Sequence, residues 1–222
     1  MFTLGLMLSL AATAPPDVTG LWVRAQRTTT VVDVPVLGDT EVETVAIAIV
    51  DVRRVGDEYR MTEKVCAIES ESVHGVVRTV YPRAFVVALS GHDKPLRIER
   101  AESGLRWIEP RYERVVGEGD QDSDGHPGVT VRIEGLVDGE VYVKQVGWQA
   151  SEGRFVGDDR VAGAVTFGLE QEILGATSER LQDPLPSRPH PEAKKNPFRA
   201  RRIPTSATCA QVLARRGALL GL

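Results

Sequence analysis

Valine constrains this chain more than any other residue, because it is abundant in one part and nearly absent from the other. Of 30 valines, 29 lie at or before Val165, and only Val212 follows. Valine is β-branched and favours the pleated surface of a sheet. The 222-residue chain is therefore expected to fold as an all-β body followed by a segment of another kind.

That following segment is rich in proline and basic residues. Residues 184–222 hold six of the 13 prolines and carry eight basic residues against one acidic residue, a net charge of +7. Since the whole chain carries −4, the remainder carries −11. We expect this C-terminal strap, residues 176–222, to pack on the acidic body, although salt screens such contacts. The mildly acidic total gives no reason to expect a nucleic acid as partner.

Alternating apolar and polar residues, separated by turn residues, indicate the strands of the body. In 129–134, Val129, Val131 and Ile133 alternate with polar residues. Further strands are expected at 20–34, 42–53, 58–68, 73–81, 84–90, 95–101, 105–108, 111–117, 140–150 and 154–168, with a turn at 152–153. Short strands and tight turns predict an antiparallel barrel or closed meander of about 8–11 strands over residues 15–175. A short terminal helix is expected at 206–219, with Thr205 or Ser206 as its N-cap.

The N-terminus predicts export. Residues 2–12 are uncharged and mostly apolar, and the small-x-small triplet 12–14 follows them, as at a signal-peptide cleavage site. We expect residues 1–14 to be a signal peptide, although no basic residue precedes the apolar run. The alternative is a buried N-terminal strand or helix. No later apolar run is long enough for a transmembrane helix, so the mature protein is expected to be secreted or periplasmic.

Two cysteines, Cys66 and Cys209, predict one disulfide in an exported chain. Alternation over 58–68 places Cys66 on the outward face and Glu63 on the inward face. The disulfide is therefore expected to hold the strap against the exterior. An inward carboxylate requires a partner, and two interpretations of Glu63 stay open: a paired residue at the barrel mouth, or a polar group in a ligand cavity.

Gly20-Leu21-Trp22 opens the first predicted strand and resembles the G-x-W signature of lipocalin-like barrels. The resemblance covers residues 17–22. It implies a barrel closed at one end by Trp22, with an interior that holds a small apolar ligand. The alternative is that Trp22 is a core residue at the start of a strand.

The run from Asp120 to Gly125 resembles the D-x-D-x-D-G calcium loops of EF-hands, dockerins and thrombospondin type-3 repeats. Calcium binds six to eight oxygen ligands, and the resemblance implies side-chain oxygens from Asp120, Asp122 and Asp124 and the backbone carbonyl of His126. Position twelve is Val131 rather than glutamate and a strand follows, so a full EF-hand is excluded. A further carboxylate would have to come from Glu118, Asp138 or Glu140. The alternative is a solvated acidic turn.

Motifs for catalysis are missing from the sequence. The four histidines are far apart, without the spacing of a zinc site. No phosphate loop and no dinucleotide-binding motif is present. We therefore expect an exported, non-enzymatic binding or envelope-interaction protein with a calcium-stabilised loop. The alternatives are a carrier of a small apolar ligand, or an enzyme with its site inside the barrel.

A cluster of arginines in the strap offers one candidate interaction surface. Arg199, Arg201 and Arg202 are expected to contact an anionic envelope polymer or lipid surface. The alternative is that these arginines pair with the acidic body.

Overall fold

The computed structural model describes residues 17–34, 38–102, 104–135 and 137–220. The predicted signal peptide lies outside them. The strands are β1 (Gly20–Val34), β2 (Gly38–Val55), β3 (Glu58–Ser72), β4 (Val77–Val80), β5 (Asp93–Ala101), β6 (Gly104–Val116), β7 (Val129–Gly135), β8 (Gly139–Phe155), β9 (Arg160–Ala176), β10 (Ser187–Pro189) and β11 (Pro197–Arg202). The helices are α1 (Arg83–Ala88), α2 (Cys209–Ala214) and α3 (Arg216–Leu220), with 3-10 turns at Glu179–Leu181 and Ala193–Lys195.

Antiparallel pairing closes the sheet into a ring. The strands follow one another in the order β1, β2, β3, β5, β6, β8, β9 and β11, and β11 pairs again with β1. β4 and β7 make a second connection between β3 and β8, and β10 extends the sheet beside β1. The prediction of an all-β, closed antiparallel fold is confirmed.

Three of the predicted local structures in the body are wrong. The separate strands expected at 105–108 and 111–117 are one strand, β6, with a bulge between Glu109 and Tyr112. The expected strand at 84–90 is the helix α1, which buries Phe85 and Val86. A six-residue apolar run cannot distinguish a strand from a buried helix. The expected turn at 152–153 is absent, because β8 runs through Gly153 and turns only after Phe155. Gly153 is a packing site: a Cβ there would lie 2.7 Å from Phe198 Cζ.

The strap joins the sheet as well as covering it. β11 lies between β1 and β9, so the strap itself closes the ring. The disulfide between Cys66 and Cys209 is confirmed, and the segment that carries Cys209 packs outside β1 and β2. The expected single helix at 206–219 is two short helices, and its N-cap is Thr208, whose side chain accepts from Gln211 N in a capping box.

Inward side chains fill one end of the ring. Trp22 and Trp107 are fully buried there with centroids 5.3 Å apart, and Met61 and Phe198 pack beside them. We call this group the Trp22 cluster. A second group, the Val129 cluster, joins Val129 and Val143 to α1 at the other end. No helix in the described residues has both the length and the apolar character needed to cross a membrane.

Candidate functional site

A cavity of about 250 Å³ lies inside the ring, between the Trp22 cluster and the Val129 cluster. Its walls come from β1, β2, β3, β5, β6, β8 and β9 and from helix α1. Apolar side chains form part of the lining: Ala46, Ala48, Val65, Ile68, Phe85, Leu89, Val116, Phe167 and Leu169. This part of the cavity is therefore suited to an apolar group. The polar side chains of the lining need hydrogen-bond or charge partners of their own.

The position of Ile68 depends on a bulge in β3. Alternation alone puts Ile68 on the same outward face as Cys66. The pairing of β3 with β2 skips one residue, since Ala48 faces Val65 and Ile47 faces Ala67. This bulge at Cys66 moves Ile68 to the inside, while Cys66 stays on the outer face with Ile203 and Val212.

Four charged side chains belong to the polar part of the lining, which also includes threonines, glutamines and tyrosines. Glu63 is 6% exposed, and its Oε2 lies 2.6 Å from the Lys94 ammonium. Arg24 is 3.9 Å from the other oxygen of Glu63, and Arg114 is 3.9 Å from Oε2. Glu63 thus lies among three cations from three different strands.

This arrangement keeps Glu63 ionised. Burial raises the pKa of a carboxyl group, but the charges of Lys94, Arg24 and Arg114 and a hydrogen bond from Lys94 outweigh it. Together they lower the pKa of Glu63 to about 2. Glu63 is therefore paired, and it also lines a cavity; that this cavity takes a ligand stays a prediction.

Each of the three side-chain nitrogens of Arg24 donates a hydrogen bond inside the protein. Its Nε donates to Glu109 Oε1 at 3.0 Å, one terminal nitrogen donates to Gln26 and the other to Ser151 Oγ at 2.8 Å. Glu109 also accepts from the Trp107 indole at 2.9 Å. The Arg24–Glu109 pair forms the polar base of the cavity, and Glu109 Oε2 is buried without a hydrogen-bond partner among the described residues.

Arg114 is much less satisfied. Its side chain lines the cavity, and its Nε is buried without a hydrogen-bond partner among the described residues. Burial lowers the pKa of Arg114 while Glu63 opposes the shift, yet an arginine stays charged in proteins. Two residues earlier on β6, Tyr112 lines the same cavity, and its hydroxyl lies 3.1 Å from Nδ1 of His92.

Trp22 is not among the residues that line the cavity. It lies in the Trp22 cluster, where its indole N–H donates to the carbonyl of Val18 at 3.0 Å. The guanidinium of Arg202 covers its ring at 4.9 Å from the centroid. Of the two interpretations of Trp22, the structure supports that of a core residue at the start of a strand, at one end of the ring.

Arg24, Lys94 and Arg114 are site residues that the sequence patterns did not predict. Alternation along β1 from the inward Trp22 would have indicated Arg24, because the two are two residues apart. No sequence pattern indicated that Lys94 and Arg114 point into the ring. Only the register of β5 with β3, and the shift between Glu109 and Tyr112 in β6, bring them to Glu63.

The acidic loop brings three predicted ligands together. One carboxylate oxygen each from Asp120, Asp122 and Asp124 lie within 4.8 Å of one another. This group could hold a metal ion. Asp120 accepts from the backbone N–H groups of Asp124 and Gly125, which folds the loop.

Thr130 holds the other two carboxylates of the loop. Its backbone N–H donates to Asp122 Oδ2 at 2.8 Å, and its hydroxyl donates to Asp124. The second oxygen of Asp122 is buried and has no hydrogen-bond partner within the part of the chain that the structure describes. The hydrogen bonds from Thr130 and from the backbone of His126 lower the pKa of Asp124.

Of the other carboxylates considered for the loop, Glu118 is exposed, and Asp138 and Glu140 have partners elsewhere. Asp138 accepts from Gly135 N, and Glu140 lies 3.5 Å from Arg132. His126 stacks on Tyr142 with centroids 4.0 Å apart. Within the described part of the chain, the candidate metal group consists of the three aspartates.

The predicted arginine surface is partly used within the molecule. Arg202 donates to the backbone carbonyls of Asp17 and Thr19, in addition to covering Trp22. Arg201 lies 3.8 Å from Asp159, and Arg199 is exposed. Contact between these arginines and an anionic polymer or lipid surface stays a prediction.

Comparison of the chain with protein-family models, with curated proteins and with solved structures finds no match in any of the three. The resemblances to lipocalins and to calcium loops therefore rest on the motifs themselves.

Proposed function

We propose that this protein is an exported, non-enzymatic binding protein that encloses a small ligand inside its ring of strands. The observation that carries the proposal is the cavity of about 250 Å³. It combines apolar walls with a group of buried, charged side chains at one end. Ligand sites in proteins commonly combine these two features. The Cys66–Cys209 disulfide supports an oxidising compartment.

The volume limits the size of the ligand. At about 30 Å³ for each water-sized group, the cavity accommodates about eight non-hydrogen atoms. A six-carbon acid or amide has this size. A larger ligand would have to extend through the mouth, where Leu169 lines the cavity and is half exposed.

Catalysis is less well supported than binding. Several titratable groups converge in the cavity, as an enzyme requires. A carboxylate with a pKa of about 2 is a poor proton acceptor, however, since an effective general base has a pKa near the working pH. The paired Glu63 is better suited to fixing the cations of the cavity.

Methyl-labelled NMR tests the binding proposal. The mature, disulfide-bonded protein is titrated with hexanoate, hexanamide and hexan-1-ol to the solubility limit of each. Saturable shifts are expected at the methyl groups of Val65, Ile68 and Leu89, which line the cavity. The exposed Val55 and Val156 serve as internal controls. If none of the three compounds shifts the cavity methyls, the proposal is wrong.

We also propose that the acidic loop binds calcium, with Asp120, Asp122 and Asp124 as side-chain ligands and the carbonyl of His126 as a further ligand. Three neighbouring carboxylates repel one another without a cation. The unpartnered buried oxygen of Asp122 supports the proposal, since it is free to bind an ion. The ion would fix the loop that precedes β7.

Thermal unfolding with calcium and with chelator tests this site. Calcium is expected to raise the Tm of the wild type and to leave the Tm of Asp122→Ala unchanged. Asp158→Ala, at an exposed aspartate outside the loop, should retain the calcium response. Equal wild-type Tm values with calcium and with chelator would reject the calcium site.

A further inference from the structure

We infer that the ligand of the cavity is a carboxylate, and that Arg114 binds its acidic group. The inference rests on the proposed binding function and adds the chemical class of the ligand. It comes from the charges inside the ring, from the hydrogen bonds that they make, and from those that they leave unmade.

The charges inside the ring do not balance. Among the described residues, Arg24, Lys94, Arg114 and Glu63 are the charged side chains that line the cavity, and Glu109 lies directly behind Arg24. Three cations thus face two carboxylates in an interior where charges are poorly solvated. The group has an excess of one positive charge.

That excess is localised on Arg114. Glu109 pairs with Arg24 at 3.0 Å, and Glu63 pairs with Lys94 at 2.6 Å. Arg114 lies 3.9 Å from the oxygen that Lys94 already occupies, beyond hydrogen-bond distance. Its buried Nε has no partner among the described residues. Arg114 therefore keeps unused donors at the wall of the cavity.

A carboxylate fits the unpartnered guanidinium of Arg114 in both charge and shape. The planar guanidinium of arginine can donate two parallel hydrogen bonds to the two oxygens of a carboxylate. One monoanion also neutralises the excess charge, whereas a phosphate monoester dianion would leave a negative charge in its place. The apolar walls formed by Val65, Ile68 and Phe167 are then available to the rest of the ligand.

Hexanoate and hexanamide provide a matched pair of probes, because they have the same chain and differ in the charge of the head group. In calorimetric titrations of the wild type at pH 7, hexanoate is expected to bind about ten- to a hundredfold more tightly than hexanamide, as for a hydrogen-bonded charge pair. Arg114→Gln should remove this preference. Arg114→Lys, which keeps the charge but not the planar fork, should retain part of it.

Arg106→Gln is the matched control. Arg106 lies on the same strand β6 but is paired with the exposed Glu99 and Glu152 outside the cavity. Its replacement removes one positive charge and should leave the preference for hexanoate intact. If Arg106→Gln lowers the preference as much as Arg114→Gln does, the assignment to Arg114 is overturned.

The two proposals fail in different ways. Equal affinities of the wild type for hexanoate and hexanamide, with shifts at the cavity methyls, would overturn the carboxylate inference and leave the binding function intact. Absence of binding by every probe would overturn the binding function. Displacement of hexanoate by inorganic phosphate at equal concentration would assign the site to phosphate instead. The wild-type comparison decides the matter even if Arg114→Gln fails to fold.

Discussion

Glu63 holds the charged residues of the cavity together, since it contacts Lys94, Arg24 and Arg114. Replacing it by glutamine leaves the buried Lys94 without its counter-charge. Removing one partner of a buried ion pair costs about 3–5 kcal/mol. We therefore expect Glu63→Gln to lower the free energy of unfolding at pH 7 by about that amount, measured by urea denaturation. Glu99→Gln, which breaks an exposed pair with Arg106, should cost below about 1 kcal/mol.

The same residue predicts a dependence of stability on pH. The pKa of Glu63 in the folded protein, about 2, lies below its ordinary value of 4.5. Its ionised form therefore stabilises the fold above pH 4.5, and this contribution is lost as the pH falls towards 2. The difference in unfolding free energy between wild type and Glu63→Gln should shrink over that interval. A difference that stays constant from pH 7 to pH 2 would contradict the pairing.

The hairpin of β8 and β9 shows how glycines of one strand can have different roles. A Cβ on Gly153 would meet Phe198 at 2.7 Å and the backbone carbonyl of Ala162 at 2.8 Å. A Cβ on Gly147 would meet only Leu169 at an ordinary 3.5 Å and Gly168 at 3.8 Å. We expect Gly153→Ala to destabilise the protein by about 1–3 kcal/mol. Gly147→Ala should be neutral or stabilising by up to about 1 kcal/mol. Equal unfolding free energies for the two variants would contradict this packing.

Sequence patterns predicted the strands where side chains alternate over many residues, as in β1 and β2. They failed where the local pattern was short or where a tertiary contact decided the structure. The run that forms α1 fills the space between β3 and β7. Gly153 resembles a turn residue in the sequence, although the neighbouring Phe198, 45 positions away, is what excludes a larger side chain there.

Across the whole molecule, the strap is fixed by β11 and by one covalent bond. The Cys66–Cys209 disulfide closes a loop with a sequence separation of 143. Loop-closure entropy predicts a stabilisation of about 4–5 kcal/mol for a loop of this length. The double variant Cys66→Ala with Cys209→Ala should lose that amount in urea denaturation. Reduced wild type should behave like the variant, and free-thiol assays of the unreduced protein should find none. Unchanged stability of the double variant would contradict a stabilising disulfide.

The candidate site could be predicted only in part from the sequence. Glu63 and Cys66 were assigned to opposite faces of one strand, because alternation is a local property. The three cations around Glu63 come from β1, β5 and β6, far apart in the chain. Their convergence depends on strand register and on the bulge in β6, neither of which alternation reveals.

The central claim is that a ligand binds inside the ring, and filling the cavity tests it most directly. Gly147 lines the cavity, whereas Ala150, three residues further along β8, points outward opposite Thr166. In methyl NMR titrations with hexanoate, Gly147→Leu should abolish the saturable shifts at Val65 and Leu89, and Ala150→Leu should retain them. Undiminished binding by Gly147→Leu, in a variant whose unliganded spectrum shows an intact fold, would contradict a ligand site within the ring.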